Sequence, residues 1–450
     1  MATPEVTARI LRRLLASGVN ARAERLLARM NPADIAPLFS GLTPEETRTV
    51  VELLFRRRRA ARTLKELPSE MLPEIFTALP DQRLADVMGR LEIDDLIELM
   101  EWVPPERREA VVGGLPEDKR YELKKAELYP PSSAGRAMTT SFVAVDEKMT
   151  AQEAIDSIRA EGDESESILY LYVVDDQRTL RGVVPIRRLV AAPPSRPIRD
   201  LMIPEPVSVN ADADQEEAAR LVARYDLLAV PVTDVDGHML GVITVDDVID
   251  VLTEEATEDI YHLAGLHGED RVFTPARTSL RKRLPWSLLN LGTAFLAAWV
   301  VGLFERTLEQ LVALAFFMPV VAGMSGNVGT QSLTVITRGI ALGEIEFSSG
   351  LRALLKEVTV GLSMGAVLGA VSAGLAYSWQ GSPALGYALF LAMVVTMAAA
   401  GLLGAAVPLA LKALGQDPAL GSGVIVTALT DSTAFFTFLG ISSLLLRHLA

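Results

Sequence analysis

PALGSGVIVTALTDSTAFFTFLGISSLLL, Pro418 to Leu446, holds one ionisable side chain, Asp431, among apolar, small and neutral polar neighbours. The stretch exceeds the roughly 20 residues an α-helix needs to cross a bilayer, so it reads as a membrane span with a carboxylate inside it. An Asp at a helix centre costs about 2.5 to 3.5 kcal/mol on insertion scales, and such residues face a water-filled path or a bundle interior. No Lys or Arg lies inside the other apolar runs to pair with it, which points to an ion or proton route. A structural Asp paired with a neighbouring helix is the alternative.

Three more charge-free runs precede it: Trp286 to Phe304, Gln310 to Thr337 and Val358 to Leu411. The last is long enough for two spans joined at Trp379-Gln-Gly-Ser-Pro383, so five membrane helices surrounded by lipid are expected. Basic residues near the span ends fall on one side at Arg277, Arg281, Lys282, Arg283, Arg338, Arg352, Lys356 and Lys412, and on the other at Arg306 and Arg447. By the positive-inside rule the N-terminal region is cytoplasmic and the C-terminus outside, in a multi-pass protein of the cell membrane. The second span contains Pro319-Val-Val-Ala-Gly-Met-Ser-Gly-Asn-Val-Gly-Thr-Gln-Ser332. Its Gly and Pro predict a broken backbone in mid-membrane, whose carbonyls and the amides of Asn327 and Gln331 face ions or their waters. Small residues that let helices pack closely are a rival and compatible explanation.

The 450 residues carry a net charge of −14, and all of it lies before residue 256. Residues 195–255 alone hold 14 acids against 4 bases, an acidic block that argues against nucleic acid as a partner. With no Cys, disulfides and thiolate zinc sites are excluded. Met1 to Ile10 has no apolar core of signal-peptide length. No nucleophile–base pair or phosphate-cradling loop is visible, and His238, His262, His267 and His448 are scattered, so no enzyme is expected.

Residues 1–130 repeat short amphipathic segments opened by Pro, as at Asn31-Pro, Leu42-Thr-Pro-Glu-Glu, Leu67-Pro, Leu79-Pro-Asp, Val103-Pro-Pro-Glu and Leu115-Pro-Glu. Each reads as a helix start, with Pro in the first turn and acids where the helix dipole favours them. The spacing predicts an all-α, solenoid-like stack or an irregular bundle. Arg56 to Arg59 reads as a solvated helix face. From 131 to 255 short β-branched strands alternate with helices, twice over. Ser167-Ile-Leu-Tyr-Leu-Tyr-Val-Val leads to Leu180-Arg-Gly-Val-Val-Pro, and Leu227-Leu-Ala-Val-Pro-Val-Thr leads to Leu240-Gly-Val-Ile-Thr. With the openings Arg136-Ala-Met-Thr and Asp200-Leu-Met-Ile-Pro, these halves, 131–194 and 195–255, resemble a tandem CBS pair, an α/β module that often dimerises and binds adenine nucleotides. The resemblance makes Thr244 and Asp247 candidate nucleotide ligands for ATP or a relative; the first half has Arg187-Arg188 where the acid would be. Residues 256–284 read as a connector whose length would let a plug helix reach across the cytoplasmic mouth of the ion path, with an ordinary linker as the default, and 285–450 as the five-helix membrane domain.

Acids crowd the second half: Asp214, Glu216, Glu217, Asp226, Asp246, Asp247, Asp250, Glu254, Glu255, Glu258 and Asp259. Asp247, Asp250, Glu254 and Glu258 fall at i, i+3 and i+4 spacing and form one negative stripe on a helix. Such faces repel one another until divalent cations sit between them. A merely solvated acidic surface is the alternative.

Gly326-Asn-Val-Gly-Thr-Gln-Ser332, Leu429-Thr-Asp431 and the order helical domain, CBS pair, connector and membrane helices together resemble the MgtE family of magnesium channels over nearly the whole chain. The resemblance implies a homodimer with one central pore lined by Asp431, Asn327, Thr330 and Gln331, importing Mg2+ down its electrochemical gradient. It also implies closure by cytosolic Mg2+ bound at Asp95, Asp214, Glu216, Asp226, Asp247, Asp250, Glu255, Glu258 and Asp259. Some members have Asn at the position of Thr330 and Gly at that of Ala434. Mg2+ dehydrates reluctantly and binds through one or two carboxylates with waters retained, which two copies of Asp431 would supply. A coupled divalent-cation transporter regulated by nucleotide at the CBS pair, and a membrane-tethered nucleotide sensor, are the rival functions.

Overall fold

The computed structural model describes every residue except 1–3, 18, 40, 57–58, 68–70, 162–168, 267–269, 271–273, 275, 346–348 and 450. Arg57, Arg58, His267, the Pro68 helix start predicted after Leu67 and the first two residues of the Ser167 strand motif thus lie outside the described residues. The chain forms two compact units, Met1–Leu252 and Thr253–Ala450.

The first unit opens with ten helices: α1 (Pro4–Ala16), α2 (Asn20–Leu27), α3 (Pro32–Ile35), α4 (Pro44–Arg56), α5 (Ala60–Lys65), α6 (Leu72–Ala78), α7 (Asp81–Met88), α8 (Ile93–Glu101), α9 (Pro105–Gly114) and α10 (Glu117–Ala126). Proline sets their starts as the spacing predicts: Pro32, Pro44 and Pro105 open helices, and Pro80 and Pro116 immediately precede them. Local chemistry completes the caps. The Asn31 side chain accepts from Ala33 N (3.2 Å), and Thr43 and Glu46 form a reciprocal capping box ahead of α4. One apolar core joins the helices, from Leu11 through Ile35, Leu54, Phe76 and Leu96 to Ala126.

After α11 (Ala134–Ala137) the α/β part follows: β1 (Ala144–Asp146), α12 (Ala151–Glu161), β2 (Tyr170–Val174), β3 (Leu180–Pro185), α13 (Ile186–Ala191), β4 (Ile203–Pro204), β5 (Val209–Asn210), α14 (Gln215–Tyr225), β6 (Ala229–Thr233), β7 (Met239–Thr244) and α15 (Val245–Leu263). The sheets are ordered β1-β2-β3-β4 and β5-β6-β7. In each, a parallel pair precedes an antiparallel hairpin, with an irregularity at equivalent places, Val173/Val174 and Val232/Thr233. The internal repeat is therefore real. The opening segments of the two halves, however, exchange sheets. Thr139, from the opening of the first half, bridges Val242 in the second sheet, while β4 and Ile198, from the opening of the second half, join the first sheet and its core. Each opening segment thereby buries apolar side chains, Ala134 and Met138 or Ile198 and Leu201, in the core of the other half.

Among the described residues the second unit carries five helices long and apolar enough to cross a membrane. They are α16 (Ala276–Gly302), then, after the short α17 (Glu305–Gln310), α18 (Ala313–Ala341), α19 (Gly350–Gln380), α20 (Pro383–Ala413) and α21 (Ser422–Leu449). The predicted joint between the third and fourth spans is a tight turn: Gly381 adopts φ 67°, Ser382 caps α20 through Leu385 N, and Pro383 starts it. Two expectations are corrected. The connecting helix does not begin at 256, because α15 runs unbroken from the end of β7 through the acidic stripe to Leu263. The second span is not broken either: α18 is continuous through Pro319 and the glycines. Pro319 is the seventh residue of the helix and forfeits one backbone bond there, while the helix keeps its other carbonyls satisfied in an apolar medium. Ion-facing carbonyls are thereby lost to α18, and its side chains remain.

The glycines of α18, α19 and α20 explain how the helices meet. A Cβ on Gly361 would lie 2.3 Å from Met397 O, and one on Gly404 would lie 2.3 Å from Gly329 O. Backbones this close gain packing that the lipid cannot supply. Gly404→Val should therefore lower the melting temperature of the purified protein in detergent, at an overpacking cost of about 1–3 kcal/mol, whereas Gly374→Val, where an added Cβ meets nothing within 4 Å, should leave it unchanged.

Candidate functional site

Asn327, Thr330, Gln331 and Thr334 recur at i, i+3, i+4 and i+7 on α18 and form one exposed polar stripe, opposite buried Val328, Gly329, Ser332 and Leu333. The Thr330 and Thr334 hydroxyls donate to carbonyls one turn back, Gly326 O (3.0 Å) and Thr330 O (2.9 Å). On α21 Asp431 is half-buried, with no hydrogen-bond or ion-pair partner among the described residues. The neighbouring Ser432 Oγ is buried without a partner. The two helices lock together beside it: a Cβ on Gly329 would meet Thr430 Cγ2 at 2.9 Å and Val426 Cγ1 at 3.0 Å. Gly329 precedes Thr330 and Thr430 precedes Asp431, so the contact sets the stripe and the carboxylate at one level. Ala434 is fully buried in the apolar core with Val328 and Met397.

One carboxylate escaped the sequence reading. The charge-free run starts at Val358, but α19 begins at Gly350, so Glu357 falls inside the helix and is only 3% exposed. It accepts from Ser332 Oγ (2.7 Å) and from Lys356 Nζ (2.6 Å). The adjacent acid and base had marked a span boundary in the sequence. Nothing in the linear order said that the acid points inward.

In the first unit Asp95 on α8 and Asp247 on α15 converge on Lys65 of α5, whose Nζ lies 2.8 Å and 3.9 Å from them. Lys65 and the neighbouring Asp94 were not anticipated. Burial pushes the Asp94 carboxyl well above the ordinary range, reinforced by the charges of Asp247 and Asp95, and its Oδ1 is buried without a partner. Burial also pushes Asp247 up to about 6, against the Thr244 hydrogen bond and the Lys65 charge. Burial alone would lower Lys65, but the hydrogen bond and charge of Asp95 outweigh it and hold the ammonium protonated. Asp247 accepts from Thr244 Oγ1 (2.5 Å) and Thr244 N (3.2 Å), so the candidate nucleotide pair caps α15 here.

The remaining candidate sensors are spread out. Asp214 caps α14 by accepting from Glu216 N (2.9 Å), and Asp226 ends the same helix at φ 51°. Asp250, Glu255, Glu258 and Asp259 line α15 at exposed or half-exposed positions. Glu258 reaches His262 Nε2 (3.4 Å), whose Nδ1 faces Asp417 Oδ2 (2.7 Å). Among the described residues the one group of three with metal-ligand spacing is Asp234, Asp236 and His238, none of them expected. A turn accounts for it: Asp234 accepts from the backbone of Asp236 and His238, as Asp175 does from Gln177 and Thr179 in the other hairpin.

Burial makes Asp247 hold its proton more tightly in the folded protein than in the unfolded chain. Between about pH 4 and 6 the folded form holds a proton that the unfolded form releases, so the stability this gives, complete below pH 4, is lost as pH rises to 6. Hydrogen exchange of α8 and the start of α15, in chelator, should accelerate across that window, and Asp247→Asn should flatten the dependence.

Family comparison agrees with the order of parts. The model of the MgtE divalent cation transporter domain matches residues 318–441, that of the MgtE intracellular N domain residues 30–132, and CBS domains residues 134–195 and 198–254. The magnesium transporter MgtE of Thermus thermophilus is 36% identical over 442 residues, covering 97% of this chain and 98% of the relative. That of Bacillus subtilis is 32% identical, covering 93% of each. A crystal structure of the cytosolic domain of the Mg2+ channel MgtE in complex with ATP aligns with a TM-score of 0.52 at 35% identity, over 54% of this chain and 99% of that one. These relatives are transporters and not enzymes. With a relative this similar spanning nearly its whole length, and with membrane helices, CBS pair and helical domain in the same order, the chain belongs to the MgtE family of magnesium transporters.

Proposed function

We propose that two copies of the chain form a magnesium channel, with Asp431 of each copy facing one central path. Mg2+ enters down its electrochemical gradient, and cytosolic Mg2+ closes the path by binding between acidic faces. The observation that carries this is Asp431: a half-buried carboxylate in a membrane helix, with no basic partner among the described residues, level with the polar stripe of α18. A pair of such carboxylates attracts a divalent cation more strongly than a monovalent one, and the amides of Asn327 and Gln331 hold its waters without stripping them. By the basic-residue asymmetry the N-terminal unit and C-terminus lie on opposite sides, cytoplasmic and outside.

Closure is assigned to the acids of α14 and α15. Asp214, Glu216, Asp226, Asp250, Glu255, Glu258 and Asp259 present carboxylates suited to a hard cation, and their scatter over one chain suits sites shared between facing surfaces. Asp95 and Asp247 already face each other across Lys65. ATP or another adenine nucleotide would engage Thr244 and Asp247, as a ligand of the CBS pair.

In liposomes with internal and external magnesium varied separately, wild-type protein should conduct Mg2+ and shut as magnesium rises on the side of the N-terminal unit. Asp431→Asn should abolish the flux while leaving the dimer intact on size exclusion, and flux at the wild-type level would remove the pore assignment. Neutralising Asp247, Asp250, Glu255 and Glu258 together should leave the channel conducting at concentrations that close the wild type.

A further inference from the structure

Glu357 has no place in the mechanism so far, yet it is a nearly fully buried carboxylate about 10 Å along a membrane helix from its start. Intramembrane ionisable groups are costly and rarely idle. Pairing with Lys356 does not account for its position, because that side chain is 59% exposed and a pair of sequence neighbours is satisfied equally well at the helix surface. The inward direction is taken up by Ser332, 2% exposed, whose hydroxyl donates to the second carboxylate oxygen at 2.7 Å.

The backbone around this bond is pinned. A Cβ on Gly401 of α20 would lie 2.5 Å from Glu357 O, and one on Gly404 would lie 2.9 Å from Ser332 Cβ. α20 thus wedges under both partners, and the Glu357–Ser332 bond closes the third side of a three-helix node. From there the contact continues outward: Ser332 lies one turn past Gly329, Gly329 packs on Thr430, and Asp431 follows. Ser332 is also the neighbour of Gln331. A helix face has only its rotation to lose, and turning α18 by one residue would swing Asn327 and Gln331 off the path.

We infer that Glu357 is a positioning residue of the ion path: by accepting from Ser332 it fixes the rotation of α18, so that Asn327, Thr330 and Gln331 face the route beside Asp431. The inference rests on the channel reading for its consequence, but not for its geometry. Without the bond, the stripe turns, and discrimination between Mg2+ and larger divalent ions falls along with conduction.

The chain contains no Cys, so single reporters are clean. Gln331→Cys and Val328→Cys should be made in the full-length protein in liposomes and reacted with a charged thiol reagent, with Glu357 intact or changed. The expected result is several-fold slower labelling at 331 and faster labelling at 328 with Glu357→Ala, restoration with Glu357→Gln, whose amide oxygen still accepts from Ser332, and the same change from Ser332→Ala. Combining Ser332→Ala with Glu357→Ala should add nothing, because both remove one bond. The Mg2+ to Ca2+ flux ratio should fall in step. Unchanged labelling and flux ratio in a folded Glu357→Ala or Ser332→Ala protein overturns the inference, whatever happens to thermal stability. Should Glu357→Ala not fold, Ser332→Ala decides alone. If wild-type protein conducts no Mg2+, the channel reading fails, while the labelling still decides whether Glu357 orients α18.

Discussion

Asp431 places a carboxylate partway along a membrane helix with no cationic side chain beside it among the described residues, and the membrane unit is arranged around that cost. In an apolar medium a bare charge is tolerated next to water or an exchangeable cation. A fixed Lys or Arg would neutralise it permanently. Leaving it unpaired makes its electrostatic field available to a transported ion, and the close approach of α21 to α18 through Thr430 and Gly329 supplies neutral polar groups at the same level. Small residues carry that approach. The glycines of α20 admit α18 on one side and α19 on the other, so α18 is held by backbone contact rather than by interchangeable apolar side chains.

The other membrane carboxylate is handled in the opposite way. Glu357 has a hydroxyl donor and an ammonium beside it, and its chemistry is spent inside the protein. The contrast separates two uses of an acid in a low dielectric: fully paired, it orders helices; unpaired, it attracts ions. The first unit shows a third arrangement, in which Lys65 stands among Asp94, Asp95 and Asp247 as a cation of the protein's own. Burial raises both Asp94 and Asp247 there, reinforced at Asp94 by the charges of Asp247 and Asp95 and opposed at Asp247 by the Thr244 hydrogen bond and the Lys65 charge.

Much of this was legible in linear order because the signals are local. Proline at helix starts, the twofold strand pattern, charge-free runs of membrane length and a Gly-Ser-Pro joint each report on a few adjacent residues, and each appears where expected. The misread points share one cause. Pro319 and the glycines of α18 look like breaks when judged by propensity, yet the medium forbids an unsatisfied backbone and neighbouring helices fill the space that small residues leave. The opening segments of the two CBS halves exchange partners between sheets, a pairing that depends on contacts far apart in sequence and so is not written in linear order.

From the residues alone came the five spans, the acidic character of the second CBS half and the singularity of Asp431, since length, charge and hydropathy are properties of a segment by itself. Folding in three dimensions decided which acids are neutralised. Lys65 lies 30 residues before Asp95 and far further from Asp247, and Ser332 is 25 residues from Glu357, so no window along the chain contains both members of either pair. Whether a carboxylate is free to attract an ion depends on what packs against it, and that is set by the tertiary fold.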